Sequence, residues 1–109
     1  MESLSERHCV PCHGGVPRLT AEEIAPLLSQ LRGWDAIEEH HLAKDYKFAN
    51  FADSLAFVNR VGQIAEQEGH HPDINFGWGY ARLQIYTHAI GGLSESDFIL
   101  AAKIDEAGG

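Results

Sequence analysis

Positive charge is what this chain has least of. Eight Lys and Arg stand against 16 Asp and Glu in 109 residues, a formal charge of −8 with histidine neutral. Gripping a nucleic-acid backbone takes clustered cations on the phosphates, so direct nucleic-acid binding is not expected. Long apolar runs are missing as well. Nothing approaches the roughly 20 consecutive residues that a membrane-spanning helix requires, and Met1-Glu2-Ser3-Leu4 does not open like a signal peptide. No membrane partner is expected, and the cytoplasm is the expected location. Repeats and low-complexity segments are absent too. Cysteine is scarce, with only Cys9 and Cys12. Together with His13 they spell CxxCH, the pattern of covalent c-type haem attachment. That chemistry needs export and a distant axial ligand, and neither is indicated. A zinc site would need ligands beyond His8 and His13. Two free thiols in a reducing compartment are the plainer reading, and no cofactor is expected.

What is present suits one α+β domain. The length supports a single core without disulfide or metal, and an apolar content of 44% is ordinary for a globular chain. Residues 1–18 hold Gly and Pro but few apolar anchors and read as a flexible arm, with residues 19–109 as the domain. Thr20-Ala21-Glu22-Glu23 is a capping box opening a helix with Ile24, Leu27, Leu28 and Leu31 on one stripe. Pro26 interrupts it, and Arg32-Gly33 ends it. Trp34 to Glu39 and Leu42 to Phe48 read as a hairpin, with His40-His41 at its solvated turn. In the second strand Leu42, Tyr46 and Phe48 share a face with the stem of Lys44. Asn50 with Asp53 caps a long helix reaching about Glu68. Its stripe of Phe51, Leu55, Val58, Val61, Gly62 and Ala65 is broad enough for a second partner, such as another subunit. Ser94 to Asp97 caps a last helix with Phe98, Ala101 and Ile104 inward. The order α-β-β-α-β-β-α predicts an antiparallel four-stranded sheet with three helices packed on one face.

Chemistry concentrates between Glu66 and Asp97. Glu66 and His70 are four residues apart on one helix face. Gly69 and Pro72 stop that helix. Ile74, Phe76 and Trp78 alternate with polar or small residues, as do Leu83 and Ile85, so a hairpin follows. Gly79-Tyr80 suits a type II′ turn. Trp78 then pairs with Ala81, Phe76 with Leu83 and Ile74 with Ile85. Extended along the ladder, this register sets His71 opposite His88, with β-carbons about 4.5–5.5 Å apart. Two imidazoles at that spacing could share one small ligand.

Glu66-xxx-His70-His71-Pro72, followed by Trp78, His88 and Asp97, forms a signature. Together with Gly33-Trp34 and the long helix before the histidines, it makes the chain resemble the pterin-4a-carbinolamine dehydratase family from about Leu19 to Ala102. The resemblance implies removal of the hydroxyl on carbon 4a of a tetrahydropterin, giving quinonoid dihydropterin and water in tetrahydropterin recycling. The pterin is then the substrate, not a cofactor. A departing hydroxide needs an acid, and the ring-nitrogen side needs a base. Histidine suits both, its ordinary pKa being about 6.5.

The resemblance implies a catalytic role for His70, His71 and His88, with His70 and His88 as the acid–base pair and His71 touching the pterin. The hairpin register alone selects His71 and His88, and both assignments stand open. As substrate-binding residues the resemblance implies Glu66, Pro72, Trp78 and Asp97. Glu66 would meet the amino-pyrimidinone edge or tune His70, and Asp97 would orient a histidine or shape the pocket. Pro72 and Trp78 would shape the pocket, with Trp78 alternatively a core residue. Read without the resemblance, Glu66 is an exposed helix carboxylate and Asp97 a capping residue. Adjacent His70 and His71 point apart on a regular backbone and no Cys lies near them, so no metal is expected. Where vertebrate-like members commonly carry Arg before the Asp, this chain has Ser96, and no substrate contact carries over from that position. A homodimer or homotetramer is implied as well. The alternative is a non-catalytic protein partner of the same fold, a transcriptional dimerisation cofactor or a carboxysome-type assembly factor. Those assembly-factor relatives tend to lose the site histidines, and here the signature is intact.

Overall fold

The computed structural model describes residues 3–9 and 17–108. In chain order these form a 3-10 turn at Leu4–Glu6, then α1 (Ala21–Leu28), β1 (Asp35–Ile37), β2 (His41–Lys47) and α2 (Phe51–Glu68). β3 (Asp73–Gly77), β4 (Tyr80–Ile85), a 3-10 turn at His88–Ile90 and α3 (Glu95–Glu106) complete it. The four strands pair antiparallel in the order β1-β2-β4-β3. The fold is α+β, in the element order that the sequence pattern predicts.

Local chemistry sets most boundaries. Thr20 and Glu23 exchange side-chain and backbone hydrogen bonds at the start of α1. The helix stops at Leu28, short of the expected Arg32-Gly33. Past Pro26, Gln30 and Leu31 N–H groups bond carbonyls three residues back, tightening the chain into a 3-10-like turn. The Asn50 side chain accepts from the Asp53 N–H at 2.8 Å and opens α2.

The β3–β4 hairpin keeps its expected faces but not its expected register. Gly77 pairs with Tyr80, Phe76 with Ala81 and Ile74 with Leu83, so the two turn residues are Trp78 and Gly79. Only Gly79 has a positive φ, 79°, which belongs to the second central position of a type II turn rather than the first of a type II′ turn. A β-carbon on Gly79 would also lie 3.2 Å from the Phe48 carbonyl just past the end of β2. Each β4 partner therefore moves by two residues, which preserves the alternation and leaves Ile74 and Phe76 against the core.

Leu42 and Tyr46 of β2 share one sheet face with Ala81, Leu83 and Ile85 of β4. Ile24, Phe57, Val61, Phe98, Leu100 and Ile104 cover that face from all three helices. α2 buries Phe57, Val61 and Ala65, while Phe51 and Leu55 stay exposed, so its apolar stripe is split between sheet and solvent. α3 is buried from Ser96 through Ala102. Its second side is covered by the N-terminal turn. Leu4 is 3% exposed, the Lys103 ammonium donates to the Ser5 carbonyl at 2.8 Å, and Arg7 pairs with Glu95 at 3.2 Å. Residues 3–9 of the expected arm are thus anchored on the domain. Cys12 and His13 lie outside the described residues. At the other end of α3, Asp105 accepts from the Trp34 indole at 2.9 Å and the Arg32 N–H at 3.0 Å, with the Lys44 ammonium at 3.4 Å. Among the described residues, no helix is long and apolar enough to cross a membrane.

Candidate active site

Gly69 decides where the first two histidines go. It caps α2 in the left-handed conformation, φ 64°, and its N–H bonds the Ala65 carbonyl. Past that cap the chain no longer follows helical spacing. Glu66 and His70 therefore do not pair. The Glu66 carboxylate instead accepts from His71 Nε2 at 2.5 Å, with both groups largely in solvent. His70 turns inward, and its Nε2 meets Asp97 Oδ1 at 2.5 Å.

Asp97 is the buried centre of the arrangement, with 0% of its side chain exposed. Burying a carboxylate is costly unless donors surround it. Here the second oxygen, Oδ2, accepts from the Ser94 N–H at 2.8 Å and from the Thr87 hydroxyl at 2.9 Å. One oxygen closes the N-terminus of α3, and the other holds a histidine. Because a carboxylate only accepts, His70 Nε2 carries the proton in this bond. The Nδ1 atom of a neutral His70 is then left with its lone pair.

Thr87 had no signal in the sequence, being one of several threonines and serines without a motif. It is buried, and its hydroxyl donates to Asp97 from the position next to His88 in the chain. His88 opens the second 3-10 turn with 61% of its side chain exposed. Its Nε2 lies 3.9 Å from Asp73 Oδ2, and its ring stands edge-on to Tyr86 at 4.1 Å. Tyr86 packs in turn against the His40 ring at 4.6 Å. The ladder ends at Asp73 opposite Gln84, and one further pair of steps would face His71 with Tyr86. His71 and His88 are therefore not the directly opposed pair that the Gly79-Tyr80 turn predicts.

His70, His71, Glu66, Pro72, Asp97 and His88 gather where α2 runs into β3, β4 runs out and α3 begins. Trp78 does not join them. It sits on the turn at the far end of β3, roughly 15–20 Å away along the strand, and is 70% exposed. Among the described residues no cluster of three or more His, Cys, Asp or Glu has the arrangement to hold a metal ion.

Behind the site, the Cys9 N–H donates to Glu68 at 2.8 Å and its thiol to the Ser96 carbonyl at 3.4 Å. Burial, and then the Glu68 charge, push the Cys9 thiol up to about 12. For Glu68 itself, burial raises the pKa, but the bonds from Cys9 and His8 and the Lys103 charge outweigh it and hold the carboxyl low.

Fold and site define an α+β domain that carries a buried carboxylate–imidazole pair and two more histidines at one end of its sheet. The chain belongs to the pterin 4 alpha carbinolamine dehydratase family, whose model matches residues 17–107. A relative from Rubrobacter xylanophilus is 55% identical over 105 residues, covering 96% of this chain and 98% of its own. Another, from Alkaliphilus metalliredigens, is 48% identical over 107 residues, covering 97% and 96%. Both carry provisional names as pterin-4-alpha-carbinolamine dehydratases. Among solved structures, a transcriptional coactivator/pterin dehydratase from Brucella melitensis superposes with a TM-score of 0.78 at 26% identity, over 85% of this chain and all of that one. A pterin dehydratase-like protein identified as a RuBisCO assembly factor of the α-carboxysome gives a TM-score of 0.60 at 28% identity, over 72% and 92%.

Proposed function

We propose that the chain is a hydro-lyase that dehydrates 4a-hydroxytetrahydropterin to quinonoid dihydropterin and water, in the cytoplasm. The carrying observation is the buried Asp97 carboxylate, which holds His70 on one oxygen and on the other accepts from Thr87, the residue preceding His88. Family membership and the names of close relatives support the same reaction. In the proposed step an acid protonates the 4a-hydroxyl, the C4a–O bond breaks, and water leaves. A base takes the proton from N5, and the N–H electron pair becomes the C4a=N5 double bond. The step is redox-neutral and asks only proton transfers of the protein, so its own groups suffice and no cofactor is called for.

His70 and His88 are the acid–base pair in this reading. Asp97 stabilises a charged His70 and fixes its ring, the part a buried carboxylate takes beside a catalytic imidazole. His71, steadied by Glu66, contacts the pterin, and Pro72 shapes the approach to it. Trp78 contributes to such a pocket only if a second copy of the chain brings its turn there. The test is acceleration of synthetic 4a-hydroxytetrahydropterin dehydration above the unaided rate, beside His70→Ala and His88→Ala. A folded wild-type protein without acceleration would remove the dehydratase reading.

The exposed half of α2 supports a homodimer or homotetramer. Phe51 and Leu55 are exposed, Phe51 stacks on Phe76 at 5.8 Å, and Ser54 holds the Gly79 N–H at 3.1 Å, which brings the Trp78 turn alongside. Sedimentation of Leu55→Glu beside wild type tests it. A wild-type monomer at micromolar concentration would favour instead a heterologous protein partner for this patch, as for the two solved relatives, named as a transcriptional coactivator and a RuBisCO assembly factor.

A further inference from the structure

The hairpin end between β1 and β2 carries two histidines, His40 and His41, that the proposed reaction does not use. The two central residues of this turn, Glu38 and Glu39, have positive φ values of 53° and 55°, and the His40 N–H closes it on the Ile37 carbonyl at 2.9 Å. Positive φ at both positions makes a type I′ turn, more usually built from Asn and Gly. So short a turn leaves no slack, and the backbone fixes where His40 falls. Leu42 pairs with Ile85, which sets this hairpin end beside Tyr86, the residue that follows β4.

A row of ring contacts runs from there to the site. The His40 ring lies 4.6 Å from that of Tyr86 at an angle of 39°, and the Tyr86 ring lies 4.1 Å from that of His88 at 65°. Ring pairs this close add an orientation-dependent attraction to the area they bury. Behind His40 stands His41, Nδ1 to Nδ1 at 3.0 Å, a contact in which one ring donates and the other accepts. Burial and then the neighbouring His40 hold the His41 pKa down, which keeps a neutral ring in that pair at neutral pH. His88 has little else to orient it. Its loop is closed through the backbone, where the Thr87 N–H bonds the Gly92 carbonyl at 2.9 Å. Its side chain is largely in solvent, and Asp73 stands 3.9 Å away, outside hydrogen-bond range. The imidazole therefore rests on Tyr86, and Tyr86 is backed by His40.

We propose that His40 is a positioning residue, whose ring sets the orientation of the His88 imidazole through Tyr86. The catalytic consequence rests on the dehydratase reading. Proton transfer needs its partners within about 2.6–3.2 Å, so a swing of the imidazole reaches the rate. His40 acts through Tyr86 rather than on the substrate.

The test uses His40→Ala, which leaves Tyr86 unbacked, and His40→Phe, which restores a ring without the bond to His41. The position is half-buried at a hairpin end, and far-UV circular dichroism checks that both variants fold. One readout is the NMR signals of the His88 ring protons, identified by their loss in His88→Gln. The other is the kinetics of synthetic 4a-hydroxytetrahydropterin dehydration above the unaided rate. In His40→Ala the His88 signals are expected to leave the ring-current position set by Tyr86 and move towards free imidazole. Its kcat should fall about three- to tenfold, the equivalent of one aromatic contact, with KM within about twofold of wild type. His40→Phe should return both readouts to wild type. A merely structural loss would lower the folded fraction without moving the His88 signals of the folded form. Signals that stay in place in His40→Ala, or a change that Phe does not reverse, overturn the positioning role. So does an unchanged kcat in an active wild-type background. Signals that move and return as expected, in a protein that accelerates no dehydration, keep the positioning of His88 and remove the reaction.

Discussion

Asp97 serves two elements with two oxygens, and substitution separates the roles. Asp97→Asn offers an amide N–H₂ where Thr87, Ser94 and His70 all point donors, so one of those bonds must go. A general acid–base contribution is typically 10²–10⁴-fold, and dehydration is expected to slow by about 10²-fold. The displaced buried partner should lower stability by about 1–3 kcal/mol. Stopped-flow absorbance with synthetic carbinolamine reads the first, and urea unfolding the second. Cys9 gives a residue-scale prediction independent of function. Burial and Glu68 hold its thiol up to about 12 against an ordinary 9.0. In a Cys12→Ser background, labelling by a disulfide reagent at pH 8 should run about 10³-fold slower than in the urea-unfolded protein, in proportion to thiolate. Equal rates would mean that the Glu68–Ser96 niche does not close around the thiol.

Two elements set the site by how they end. α2 stops on a left-handed Gly69, and that turn sends His70 to Asp97 and His71 to Glu66. Gly69→Ala meets no steric neighbour within 4 Å, so its penalty is conformational. It should cost about 1 kcal/mol in urea unfolding, with a change in the His70 and His71 imidazole NMR resonances if the cap rearranges. The β1–β2 hairpin ends on His40 and His41, whose Nδ1 atoms approach to 3.0 Å. Burial and then the neighbouring His40 hold the His41 pKa below its ordinary 6.5. A depressed folded value means that the unfolded chain binds the proton first. This contribution to stability is therefore complete above about pH 6.5 and is lost as pH falls towards the folded value. Unfolding midpoints at pH 7.5 and 5.5 should converge for His41→Gln relative to wild type.

At the scale of the whole molecule, α3 is the central post. The sheet and α2 pack on one side of it, and the N-terminal turn closes the other. Leu4, although only four residues from the start of the sequence, is part of that core. Leu4→Ala should destabilise by about 2–3 kcal/mol, measurable as a lower urea midpoint. A loose arm would show no change. Glu68 and Lys103 hold the same segment through Cys9 and Ser5, immediately behind His70 and Asp97. Packing of the arm and geometry of the site are therefore parts of one corner.

The elements were legible because their signals are short-range. Thr20 with Glu23, Asn50 with Asp53, Gly69 after Glu68 and Ser94 with Asp97 each act over three or four residues, and each forms as the sequence pattern predicts. Alternation likewise assigned the faces of β3 and β4, since a slip of two residues leaves it unchanged. For the same reason it could not choose the register, which turned on which residue after Gly77 would take the positive φ. The anchoring of residues 3–9 had no local signal, because Leu4 meets the core through α3. The pairing of His70 with its carboxylate was beyond local reach as well. His70 meets a carboxylate 27 positions away, and Thr87 acquires its role only because Asp97 is buried beneath it. Sequence alone determined the caps, the strands and the histidine signature, because backbone hydrogen bonds and φ preferences act between near neighbours. Which carboxylate His70 meets, and which histidines water reaches, was decided only by tertiary packing, since burial is a property of the assembled core.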